Sequence, residues 1–200
     1  MRVGIFGGSF DPPHVGHLLV AQDAVTALSL DRLLIVPAGQ QPLKQGAQSS
    51  AEHRLAMVRR CFSGMPDMMV DPVEIERGGL SYMVDTVEGF RQQWPSATLL
   101  LLMGEDVTET LPRWREPERL LSMVTLVVLQ RTASAGTTDA SSGQRDAPNL
   151  PVRHLATRRV DVSSTEIRAR VREGRSIRGF VTDAVAEYIA STGLYLRDPG

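Results

Sequence analysis

Residues Thr98 to Met103 read TLLLLM. From Leu99 onward no polar residue interrupts the run. An extended segment of this kind has no face to offer water and must be covered on both sides. Val3–Phe6 and Leu33–Val36 are further runs of the same type, and Thr125–Leu129 is a third. Between them lie stretches with helical spacing: Leu18, Ala21, Val25 and Leu28; Leu55, Val58 and Phe62 after Ser49-Ser50-Ala51-Glu52, which fits a capping box; Met83, Val87, Phe90 and Trp94; and a segment around Glu116–Leu121. Continuously apolar strands alternating with helices predict a doubly wound, Rossmann-like α/β fold with a mostly parallel sheet. Met69–Ile75 reads as a third strand, edge or bulged because of Pro72, and Arg159–Val162 as a last strand. Two helices close the chain within 163–200, one from Ser163 to Gly174 and one from Thr182 to Gly193, and form a small C-terminal helical part.

The 200 residues suit one domain spanning 1–200. Residues 132–149, TASAGTTDASSGQRDAPN, lack large apolar side chains and read as a mobile surface insertion. The net charge of −1 gives no support to nucleic acid or an anionic membrane as a partner. The single cysteine, Cys61, allows neither an internal disulfide nor a multi-cysteine zinc site, and reads as a core residue. No run approaches the ~20 apolar residues of a membrane span. The N-terminus does not read as a signal peptide, so a cytoplasmic protein is expected.

The first apolar run ends in Gly7-Gly8-Ser9-Phe10-Asp11-Pro12-Pro13-His14-Val15-Gly16-His17. Gly7 and Gly8 leave main-chain N–H groups without Cβ cover, which lets a phosphate approach. His14 and His17 are three apart at the start of a helix, where the macrodipole and the unpaired N–H groups favour an anion. Neither the P-loop pattern nor the dinucleotide fingerprint is present. A second anion site appears at Ser163-Ser164-Thr165-Glu166-Ile167-Arg168. Ser163 and Glu166 fit a capping box. Ser164, Thr165 and Arg168 add hydroxyls and a guanidinium fork suited to phosphate oxygens.

Together the two stretches resemble the nucleotidyltransferase superfamily of adenylyl- and cytidylyltransferases. Its H-x-G-H motif matches His14-Val15-Gly16-His17, and its S-S/T-x-x-R pattern matches Ser164-Thr165-Glu166-Ile167-Arg168. Within it, the chain is similar to the bacterial nicotinate-mononucleotide adenylyltransferases. The stretches that carry this are PAGQQPLKQ with Lys44, SSAEHRLAMV with His53, Arg54 and Met57, RGGLSYMVDTVE with Ser81, Tyr82, Asp85 and Thr86, and MGEDVTETLPRW with Gly104, Asp106, Leu111 and Trp114. Met83 stands where threonine is common in that family, and Thr132-Ala133 where a proline-glycine pair is usual.

The resemblance implies transfer of AMP from ATP to nicotinate mononucleotide, with release of pyrophosphate. His14, His17 and Arg168 are the expected catalytic groups. The expected ATP site is Gly7, Gly8, Ser9, His14, Gly16, His17, Gly104, Asp106, Ser163, Ser164, Thr165 and Arg168. The expected mononucleotide site is Gly8, Ser9, Phe10, Lys44, Tyr82, Thr86 and Trp114, with Trp114 stacking on the pyridine, Thr86 near its carboxylate and Phe10 acting through its main chain. Mg²⁺ is expected to ride on the substrate phosphates, without a protein-built metal site. Arg54 reads as a structural or surface helix residue. Nicotinamide mononucleotide or phosphopantetheine as acceptor, and a nucleotide-sensing module without turnover, are the alternatives.

Overall fold

A computed structural model describes residues 1–42, 47–132 and 152–196. The strands are β1 (Arg2–Gly8), β2 (Arg32–Pro37), β3 (Met68–Val70), β4 (Thr98–Gly104), β5 (Thr125–Thr132) and β6 (Val152–Arg158). They form one sheet in the order β3-β2-β1-β4-β5-β6. Every adjacent pair is parallel. The helices are α1 (Val15–Ala27), α2 (Ala51–Cys61), α3 (Val73–Arg77), α4 (Met83–Gln93), α5 (Glu105–Thr108), α6 (Pro117–Met123), α7 (Ser164–Arg172) and α8 (Asp183–Thr192). The Rossmann-like class is the one the apolar runs predict, and the parallel pairing is complete rather than partial.

The central strands are as dry as their composition demands. Leu99, Leu100, Leu101 and Leu102 are each at most 2% exposed. Alternate residues feed two cores. One, with Phe6, Leu33, Leu100 and Leu102, lies under α1, α2, α7 and α8. The other, with Val3, Ile5, Leu99 and Leu101, lies under α4 and α6. Ala21 and Ala24, both fully buried, let α1 sit close to the sheet.

Three sequence expectations are corrected. The third strand ends at Val70: Pro72 caps α3 instead, and Val73–Ile75 are helical. A ring-locked φ and a missing N–H stop a ladder but suit a helix start. The last strand is Val152–Arg158, not Arg159–Val162. It is an edge strand with only Leu155 and Thr157 buried, so its solvent-facing Arg153, His154 and Arg158 disguise it. In α2 the N-cap is Ser50, whose hydroxyl accepts from the His53 N–H, and the inner face is Arg54, Met57, Val58 and Cys61 with Leu55 half-buried. Cys61 is in the core, where burial pushes its thiol up to about 12. Thr132 belongs to β5, and the rest of the 132–149 insertion lies outside the described residues. Among the described residues no helix is long and apolar enough to cross a membrane.

The strand order reverses between β1 and β4, the switch point at which α/β sheets open a crevice beyond their carboxyl ends. Here β1 pairs with β2 as far as Gly8 but with β4 only as far as Phe6. Gly7 and Gly8 therefore project past the ladder on the β4 side. The C-terminal helices must return to this crevice from the far edge of the sheet. Ile167 anchors α7 to the first core and is fully buried. Ile167→Ala is expected to lower the unfolding free energy by about 2–5 kcal/mol, read as an earlier urea midpoint with an unchanged slope.

Candidate active site

The turn after β1 is built by packing. Phe10 adopts φ 50°, a left-handed conformation, and places its ring in the core at 2% exposure. A Cβ on Gly8 would lie 3.0 Å from that ring, so Gly8 is where the ring crosses the backbone. The Phe10 ring also meets His17 edge-on, with centroids 4.9 Å apart. His14 is the N-cap of α1. Its backbone N–H donates to His17 Nδ1 at 3.2 Å, and the two imidazoles lie 3.8 Å apart, tilted by 34°. A ring that accepts at Nδ1 is, when neutral, the Nε2–H tautomer, so His17 presents a donor at its outer nitrogen. A Cβ on Gly16 would come within 3.0 Å of the His14 ring. The glycine of H-x-G-H is thus the position over which the first imidazole lies.

The second motif docks on this turn. Ser163 caps α7, accepting from the Glu166 N–H at 3.1 Å. Ser164 Oγ donates to the Pro12 carbonyl at 2.8 Å. Arg168 donates from Nη1 to the Asp11 carbonyl at 2.7 Å and from Nη2 to Thr165 Oγ1 at 3.2 Å. Among the described residues, buried Arg168 Nε meets no acceptor. The Val15 N–H donates to the Phe180 carbonyl at 2.9 Å, a further tie between the chain's two ends. The two motifs, some 150 residues apart, share one turn of backbone.

Beside them the loop after β2 is fixed from three directions. Arg54, 3% exposed, donates to the carbonyls of Ser9 at 3.1 Å, Ala38 at 2.5 Å and Gly39 at 3.2 Å. It is structural, as its helical position suggests, but it is a buried hub rather than a surface residue. Burial lowers the pKa of its guanidinium from the ordinary range. The Gly39 N–H faces Glu74 Oε2 at 3.4 Å, and the Ser81 N–H donates to the Gln40 carbonyl at 2.9 Å. Ser9 Oγ donates to Gln41 Oε1 at 2.8 Å. A cavity of about 330 Å³ opens here, bordered by Ser9, Gly39, Gln41, Arg54 and Glu74 but not by the imidazoles. Lys44 lies outside the described residues.

The residues expected at the pyridine come from the other face of the sheet. Tyr82 is the N-cap of α4, and Arg115 lies over its ring at 4.8 Å while reaching Asp85 at 3.6 Å. Trp114, half-buried beside Arg115, donates from Nε1 to Thr110 Oγ1 at 3.0 Å. Arg115 thereby ties the Trp114 segment to the start of α4. That helix meets the turn after β1 at Gly7, where a Cβ would fall 2.9 Å from Met83 Cε.

The Thr86 hydroxyl is turned inward: it is 1% exposed, donates to Glu74 Oε1 at 3.0 Å and accepts from Arg77 at 3.0 Å. The Asp85 and Thr86 N–H groups of the same turn both face the Tyr82 carbonyl, at 3.2 and 3.3 Å. Burial raises the Glu74 carboxyl above its usual range, opposed by the Thr86 and Gly39 donors. Gly104 ends β4 and caps α5, which carries Asp106. Asp11, Glu74 and Tyr195 carry no sign of these contacts in the sequence: Asp11 lies inside the glycine-rich motif, and Glu74 falls in the segment expected to be a strand.

The comparisons agree with this architecture. Residues 5–170 match the Cytidylyltransferase-like family model. A protein of Gemmatimonas aurantiaca named nicotinate-nucleotide adenylyltransferase is 65% identical, over 100% of this chain and 94% of its own length. A protein of the same name from Thermus thermophilus is 42% identical over 98% of this chain and 100% of its own. Among solved structures, the nicotinic acid mononucleotide adenylyltransferase of Plasmodium falciparum, complexed with NaAD, aligns with a TM-score of 0.75 at 17% identity over 97% of each chain. With that fold, both phosphate motifs on one turn and full-length relatives of one name, the chain belongs to the nicotinate-nucleotide adenylyltransferase family of cytidylyltransferase-like proteins.

Proposed function

We propose that this protein transfers AMP from ATP to nicotinate mononucleotide, giving nicotinate adenine dinucleotide and pyrophosphate in NAD biosynthesis. The observation that carries the reading is the shared turn: Arg168 and Ser164 bonded to the carbonyls of Asp11 and Pro12, next to the stacked His14 and His17. The full-length relatives of that name support it.

The acceptor phosphate is already an anion at neutral pH, so the reaction needs no general base and no covalent enzyme intermediate. It needs two anions held together and the charge on the departing pyrophosphate stabilised. His17 and Arg168 bind the β- and γ-phosphates, assisted by Ser163, Ser164 and Thr165. His14 faces the α-phosphate and the bridging oxygen. Main-chain groups of Gly7, Gly8, Ser9 and Phe10 meet the incoming phosphate, and Lys44 approaches it. Gly16 keeps the backbone close under His14, and Gly104 and Asp106 meet the ATP ribose. Tyr82, the start of α4 at Thr86, and Trp114 receive the pyridine ring.

Mg²⁺, when bound, would be held by the triphosphate oxygens and would supply charge neutralisation there. The donor set fits that arrangement, because the Asp11 carboxylate in the turn is taken up by three protein donors and is not offered as a ligand. A cytoplasmic location is part of the same proposal.

Pyrophosphate release from ATP should depend on added acceptor. The kcat/KM for nicotinate mononucleotide should exceed that for the nicotinamide form by on the order of 10²-fold, since donors built for a carboxylate are left unpaired by an amide. Acceptor-independent release, or preference for phosphopantetheine, would refute the assignment. His17→Ala should lower kcat by roughly 10²–10³-fold with folding intact, the loss typical of one charge-stabilising donor; near-normal turnover would remove His17 from the phosphate site.

A further inference from the structure

Asp11 carries a second set of bonds that the phosphate chemistry does not use. Its carboxylate is buried, with the residue 5% exposed, and accepts three bonds from two separate segments. The Gln48 N–H reaches Oδ2 at 2.7 Å. Ser49 Oγ and the Tyr195 hydroxyl both reach Oδ1, at 2.5 and 2.6 Å. Tyr195 arrives from the turn after α8, 184 positions further along the chain.

That turn is shaped to deliver it. Gly193 caps α8 in the left-handed conformation, and Tyr195 is itself held at φ 64°. A non-glycine residue there costs about 1–3 kcal/mol and persists only where its surroundings fix it. Its hydroxyl also lies 3.9 Å from Met57 Sδ. Burial first, and then the bond to Asp11, hold the phenol well above the usual tyrosine range, so it remains a donor at any working pH.

We propose that Tyr195 is a positioning residue for adenylyl transfer: acting through the Asp11 carboxylate, it sets the Asp11–Pro12 corner on which Arg168, Ser164 and the two imidazoles depend. The carboxylate and the carbonyl of Asp11 belong to one residue. The first is pinned by Tyr195, Ser49 and Gln48; the second is the acceptor for Arg168. A shift of the carboxylate moves the carbonyl, and with it the guanidinium. It also moves Pro12, which Ser164 holds, and the entry to His14. Misplacing a charge-stabilising group by about 1 Å can cost on the order of 10²-fold in rate. With two of three donors retained, a smaller loss is expected.

The proposal rests on the adenylyltransferase reading, and its test separates the two. The full chain is assayed for pyrophosphate release with ATP and nicotinate mononucleotide, as wild type, Tyr195→Phe, Asp11→Ala and the double variant. Tyr195→Phe should lower kcat about tenfold, leave KM for the mononucleotide within twofold, and shift the thermal midpoint by only a few degrees. The double variant should be no slower than Asp11→Ala alone, because the hydroxyl then has no side-chain acceptor at position 11 through which to act. A Tyr195→Phe kcat within twofold of wild type overturns the proposal. So do losses that multiply in the double variant, which would mean a packing role independent of Asp11. Should Tyr195→Phe not fold, Ser49→Ala withdraws the other hydroxyl from the same oxygen: a fall in kcat that Asp11→Ala absorbs supports the proposal, and an unchanged kcat overturns it. An inactive wild type would defeat the functional reading instead.

Discussion

The bond from Arg168 to the Asp11 carbonyl is what makes one site out of two ends of the chain. In a sheet ordered β3-β2-β1-β4-β5-β6, the first strand is central and the last is an edge. The chain leaving β6 must travel back across one face to reach the end of β1. Burial of Ile167 and Val185 brings α7 and α8 onto that face, but apolar packing is not directional and would not set their register. The donors do that. Ser164 and Arg168 each find a carbonyl in the turn, and the Phe180 carbonyl takes the first N–H of α1. A bond from a charged donor contributes about 1.5–3 kcal/mol, and removing one partner leaves the other buried without water. The C-terminal helices are thus aligned by polar groups that belong to the candidate site.

The same turn shows how a strained backbone is retained. Phe10 is left-handed, which an aromatic residue seldom adopts. Its ring is nearly fully buried against Phe6, Phe62 and His17. Burying a phenylalanine returns about 1.5–3 kcal/mol, enough to offset a single left-handed residue. The geometry that results puts His17 against an aromatic edge and the His14 ring over Gly16. Donors fixed before the substrates arrive need no reorganisation during the reaction, which is the condition under which electrostatic stabilisation is most effective.

What could be read from the sequence follows the same physics. Strands buried on both faces announce themselves, because every position must be apolar; β1, β2, β4 and β5 are of this kind. The strand β6 is covered less completely, with Arg153 and Arg158 exposed, and no run of apolar residues marks it. The strand β3 is too short, at three residues, for any periodicity. The phosphate motifs were legible because glycine, proline, histidine and a hydroxyl-rich helix start each have few reasons to occur together. Asp11 and Tyr195 were not, because a carboxylate and a phenol at opposite ends of a chain carry no sign of each other until the topology is known. Thr86 was legible as a member of the α4 start, but its inward hydroxyl depends on Glu74, whose burial follows from α3 replacing a predicted strand.

The two cores also divide the labour between the two substrates in the proposed reaction. The imidazoles and Arg168 sit on the α1–α7 side, packed on the core that holds Phe10 and Ile167. Tyr82, Met83 and Trp114 pack on the opposite core with α4 and α6. The hydrogen-bonded sheet backbone lies between the two cores, so their residues are grouped as two separate clusters. In the proposed reaction, the residues assigned to the acceptor ring therefore belong to a different cluster from the one under Arg168. The faces meet at Gly7 and Met83: a Cβ at position 7 would fall 2.9 Å from Met83 Cε, the tip of a flexible side chain that can turn aside. In the proposed reaction that contact lies between the residues assigned to the acceptor ring and those assigned to the triphosphate.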